Sequence, residues 1–68
     1  MDAMSQRQAE LLRLQDALER LLSYQGQLEW TRDPAALSYL TDSMVRDLDW
    51  CRKACVQMSR QAQLLMVN

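Results

Sequence analysis

The stretch DPAALSYLTDSMVRDLDWCRKACVQMSRQAQLLM, residues 33–66, decides the fold of this 68-residue chain. Asp33 followed by Pro34 is a helix start with a mechanism. The carboxylate accepts hydrogen bonds from amides of the first turn, and proline at the first helical position has its φ preset and no amide to leave unpaired. Behind that start Leu37, Leu40, Met44, Leu48, Cys51, Cys55, Met58, Ala62 and Leu65 recur at steps of three and four. This is the period of one helix face, so the pattern predicts a long amphipathic helix over about 34–66, with Met66 at the edge of the stripe. Tyr39, Trp50 and Leu64 fall on the opposite side, and Val45, Val56 and Val67 cluster near one flank.

Toward the N-terminus, Met4, Leu11, Leu14, Leu18, Leu21 and Leu28 trace a second stripe, which Leu22 widens and Ala17 and Tyr24 flank. A helix over about 4–29 is expected, and Ser5 with Gln8 has the form of a capping box, with Asp2 as a competing cap. Two polar residues interrupt the stripe. Arg7 can lay its stem along apolar surface while its head reaches water. Gln25 marks either packing that loosens before the turn or a register-setting amide of the coiled-coil kind. The single glycine, Gly26, can close the helix in a left-handed conformation or be traversed at a cost of about 1 kcal/mol relative to alanine. An end between Gly26 and Trp30 is expected, with a turn over about 30–33. So short a connection makes the helices antiparallel neighbours. The fold expected is all-α, an antiparallel two-helix hairpin, coiled-coil-like, with 1–68 as a single unit.

Composition narrows the functions open to such a hairpin. A chain this short buries only about 60% of the surface its unfolded form exposes, so its core is thin. Eight basic and nine acidic residues give a net charge of -1 and a pI near 5.1, without the basic face that phosphate binding needs. Asp16 with Arg20, Asp42 with Arg46, and Asp49 with Lys53 are each four apart, the spacing of supporting pairs on a solvated helix. No segment approaches the ~18 apolar residues of a membrane span, and acids alternate with bases where a membrane-surface helix carries a basic face. Met1-Asp2-Ala3-Met4 lacks a basic region followed by an apolar run, so a cytoplasmic chain with reduced cysteines is expected.

With no histidine, imidazole-dependent catalysis and histidine-containing zinc sites are excluded. Cys51 and Cys55 share a helix face, cannot readily bridge at that spacing, and are two ligands where zinc takes four. They read as buried small hydrophobes slow to alkylate; a thiol or metal chemistry is the rival reading. No nucleophile, base or phosphate-cradling loop accompanies the carboxylates, so no enzyme, cofactor or metal is expected.

The hydrophobic residues on the back of the second helix exceed what one partner helix can cover. They are either scattered surface residues or a docking surface, for which tryptophan and tyrosine are the favoured composition. On the docking reading the contact set is Leu37, Tyr39, Met44, Leu48, Trp50, Met58 and Leu65, with helix 2 as the binding element and helix 1 as its brace.

A leucine-rich first helix, the segment Gln25-Gly26-Gln27-Leu28, the restart at Asp33–Pro34 and an amphipathic terminal helix resemble the smallest chaperones of bacterial type III secretion systems. The resemblance covers nearly the whole chain, through patterning, length and the proline-started helix. It implies a non-enzymatic co-chaperone that grips a larger tetratricopeptide-like chaperone as a hetero-oligomer and, through it, helps keep the needle subunit soluble and unpolymerised. Needle subunits are similar too: short hairpins with an Asp/Asn–Pro turn and an aromatic sixteen residues after that proline, which would be Trp50. The strongly leucine-patterned first helix and the shorter run after Pro34 depart from that pattern. A self-assembling hairpin, either a needle subunit or a homodimeric four-helix bundle, therefore stands as the alternative.

Overall fold

The computed structural model describes residues 3–66, with side chains from Ser5 onward. Two helices, α1 (Ala3–Trp30) and α2 (Pro34–Met66), pack against each other as an antiparallel hairpin of 54 × 18 × 16 Å. The all-α hairpin is thus the observed fold. No described helix is long and apolar enough to cross a membrane. Asp2 and Val67, and the side chain of Met4, lie outside the described residues.

The turn follows from its residues. Asp33 Oδ2 accepts a hydrogen bond from the Ala36 amide at 3.0 Å, while the Asp33 carbonyl accepts from Leu37 N at 2.9 Å. Pro34 needs no partner for an amide it lacks, so Asp33 alone supplies acceptors for two amides of the first turn of α2. At the other side of the turn Thr31 Oγ1 donates to the Gln27 carbonyl at 2.6 Å, closing one of the free carbonyls at the end of α1. The helix runs through Gly26 without a left-handed residue. Ser5 lies two residues inside α1, so the Ser5–Gln8 pair is not the cap at its start.

The seam between the helices departs from the apolar stripes. On α1 the buried and half-buried side chains are Arg7, Glu10, Leu14, Ala17, Leu21, Tyr24 and Leu28. On α2 they center on Ala36, Leu40, Ser43, Asp47, Trp50, Ala54, Met58 and Gln61. Among the described residues only Ala17, Leu40 and Ser43 are buried. Ala17 and Tyr24, expected as flanks, therefore stand in the seam, whereas Leu11 and Leu18 are about half exposed. Leu48, Cys55, Ala62 and Leu65, expected along the inward stripe of α2, are exposed. At about 100° per residue, the center of each apolar stripe lies roughly 60° round from the seam.

Two physical causes favour this rotation. Ala17, Ser43 and Ala54 are small, so the backbones can approach most closely along their rows. The contact between two cylinders is also narrower than a stripe ~100° wide, so part of each stripe must remain outside it. The charged residues add a preference: Arg20 and Asp47 meet across the helices on one side, which sends the leucines to the other.

Candidate functional site

The rotation gives the hairpin two unlike sides. On the first, Arg20 Nε and Nη2 donate to Asp47 Oδ2 and Oδ1 at 3.1 and 3.2 Å, a forked pair between α1 and α2. The Asp47 side chain is four-fifths covered. Its hydrogen bond holds the Arg20 guanidinium above its ordinary pKa, against the opposing effect of desolvation. Beside this pair the Arg13 guanidinium lies 5.0 Å from the ring centroid of Trp50, within the range of a cation–π contact. Arg46 Nη2 donates to Ser43 Oγ at 3.2 Å. Further along α2, Asp49 accepts from Lys53 at 3.0 Å and Arg52 at 3.3 Å. The Lys53 hydrogen bond is the main cause holding the Asp49 carboxyl below its ordinary pKa. Of the three pairs expected at four-residue spacing, Asp49–Lys53 forms; Arg20 instead reaches across to Asp47, and Arg46 turns to Ser43.

The second side is apolar. Leu18, Leu21 and Leu22 of α1 and Met44 and Leu48 of α2, with Gln25, line a shallow groove. Leu11 continues the α1 border toward the N-terminus, one helical row from Leu18. Leu37 and Cys55 continue the α2 border, each seven residues from Met44 or Leu48 along the same row. Because the helices are antiparallel, the two displaced stripes open onto the same side and form one face.

The expected contact residues divide between these surroundings. Leu37, Met44 and Leu48 are together on the apolar side, half-buried except for Leu48, which is 54% exposed. Met58 is half-buried nearer the seam. Trp50 is half-buried on the charged side under Arg13, not on an outward back face with Tyr39. Tyr39 is 65% exposed and apart from the apolar groove. Leu65, also 65% exposed, stands near the end of α2 with the exposed Leu64 and Met66.

Sequence reasoning missed the contribution of α1. Leu18 and Leu22 belong to the groove as fully as Met44 and Leu48, so α1 contributes half of the apolar face. The available signal was the row of small residues at Ala36, Ser43 and Ala54, spaced by seven and eleven, which marks where another backbone can come near. The cysteines were also misplaced: Cys51 is half-buried and Cys55 exposed, both as free thiols. Among the described residues no group of three metal-ligating side chains converges.

Comparison with protein-family models, curated proteins and solved structures finds no match to this chain.

Proposed function

We propose that this chain is a non-enzymatic docking hairpin that uses its two-helix apolar face to cover helical surface on another protein. The observation that carries this reading is the groove of Leu18, Leu21, Leu22, Met44 and Leu48. Its residues rise from both helices onto one side and leave large hydrophobes at 49–67% exposure, as at Leu18, Leu22 and Leu48. The surface area supports the same conclusion. A compact monomer of 8.0 kDa is expected to expose about 4,450 Å², whereas this hairpin exposes 5672 Å². The surplus, on the order of 1,200 Å², exceeds the ~800 Å² that one partner buries in a standard protein interface.

The fold and the docking face suit the role implied by the resemblance to small type III secretion co-chaperones. The proposed partner is a tetratricopeptide-like chaperone, whose stacked helix pairs offer an extended concave surface. Through that chaperone the hairpin would help hold the needle subunit unpolymerised in the bacterial cytoplasm. The test is co-expression with such a chaperone, followed by purification through a tag on the larger protein. Co-purification that Leu48→Glu abolishes and Tyr39→Ala leaves intact supports the reading. Capture of both variants equally, or of neither variant nor the wild type, refutes it.

A further inference from the structure

We propose that, when no heterologous partner is present, a second copy of this chain covers the apolar face, giving a two-fold symmetric four-helix bundle. The inference rests on the docking face described above and adds that self-association and partner binding use the same surface and exclude one another.

The dimensions fit a second copy. One broad side of a body 54 × 18 × 16 Å presents on the order of 900 Å², close to the ~800 Å² per partner of a standard interface. Burying that area would remove most of the surplus exposure of each hairpin. The need is also physical: with Ala17 and Leu40 as the only buried apolar side chains among the described residues, the hairpin has little core of its own, and chains of this size commonly obtain the rest by oligomerising. A second copy supplies an apolar face of the same length and the same helix spacing. Its ridges can enter the groove between α1 and α2 at the small crossing angle of helix bundles, and a two-fold axis makes the contact isologous, closing the assembly at two.

Charge selects this side over the other. The positions bordering the apolar face are mainly uncharged: Gln8 and Gln15 on α1, Thr41 and Ser59 on α2, all exposed. Farther round stand Glu19 and Arg52, of opposite sign. On the opposite side Arg13, Asp16, Arg20, Arg46 and Asp47 line the groove, and pairing two copies there would take five charged side chains out of water, a cost the apolar side does not carry.

Light scattering after size exclusion of the full chain at high micromolar concentration tests the proposal, together with thermal melts over a dilution series. The expected mass is twice 8.0 kDa, with a melting temperature that falls on dilution, as mass action requires. Leu22→Glu and Leu48→Glu place charge on the face and should each return the mass to that of one chain. Val45→Glu, at a 63% exposed position on the back of α2, should remain dimeric. Should the two face variants unfold as they dissociate, the concentration dependence of the wild-type melt decides. The Cys55 thiol, exposed in the hairpin, reports the face used, because its alkylation should slow as wild-type concentration rises. A mass of one chain with a concentration-independent melt overturns the proposal; so do open polymers, or dissociation by Val45→Glu. A monomer that the tetratricopeptide-like chaperone still captures would defeat this inference alone. A dimer that no such chaperone captures would defeat the proposed function alone.

Discussion

Replacing Leu40 by alanine should destabilise the hairpin far more than replacing its neighbor Tyr39, although tyrosine is the larger side chain. Leu40 is 5% exposed in the seam, whereas Tyr39 is 65% exposed. Leucine-to-alanine changes at buried sites cost about 2–5 kcal/mol, including the cavity left behind. The seam of a two-helix hairpin is open along both flanks, so neighbours can collapse into the space, and about 2–3 kcal/mol is the expected loss. Tyr39→Ala removes little buried area, and alanine is the better helix former, so its cost should stay below about 1 kcal/mol. For a chain of 68 residues, whose total stability should be on the order of 3–10 kcal/mol, the Leu40 loss is a large fraction. Urea unfolding followed by far-ultraviolet circular dichroism measures both variants at one protein concentration. With a slope near 1 kcal/mol per molar urea for a small protein, Leu40→Ala should lower the midpoint by about 2–3 M. Equal shifts for the two variants, or a Leu40→Ala cost below about 1 kcal/mol, would refute the seam described here.

Three further measurements probe the turn, the helix interior and the surface charges. Asp33→Ala removes the acceptor for the Ala36 amide and should cost about 1 kcal/mol in the same urea assay, whereas Asp33→Asn, which keeps a capping oxygen, should restore most of that loss. Gly26→Ala should raise stability by about 0.5–1 kcal/mol, because Gly26 has helical backbone and nothing lies within 4 Å of where the added Cβ would stand; a loss of stability would show that α1 ends earlier. The Asp49 carboxyl has its folded pKa lowered by Lys53 and then Arg52. Its stabilisation is therefore complete above the ordinary carboxylate pKa of about 3.9 and is lost as pH falls through the lower folded value. The stability difference between wild type and Asp49→Asn should accordingly be present near neutral pH and shrink in acid; a difference that grows in acid would contradict the assignment.

Much of the fold was legible in local chemistry. Asp33–Pro34 announced the start of α2 because a carboxylate cap and a preset φ act within one turn, and the observed bonds to the Ala36 and Leu37 amides follow from them. The three- and four-residue spacing of the leucines likewise reads as helix because it is a property of one segment. The chain through Gly26 was less legible: a glycine permits both closure and continuation, and the structure continues to Trp30. The candidate site was legible only on α2, and there only in part. Leu37, Met44 and Leu48 do stand together, while Trp50 was assigned outward because its wheel position says nothing of Arg13 above it.

The sequence by itself determined that two amphipathic helices would form and fold back on each other, since capping, periodicity and a short connection are local. Only the tertiary structure decided which edge of each stripe faces inward. That choice depends on how closely backbones pass at Ala17, Ser43 and Ala54, and on Arg20 reaching Asp47, twenty-seven positions away, in preference to Asp16 on its own helix. Interhelical geometry of that kind is absent from any one segment's pattern. It is also what moves the leucines of both helices onto a single open face.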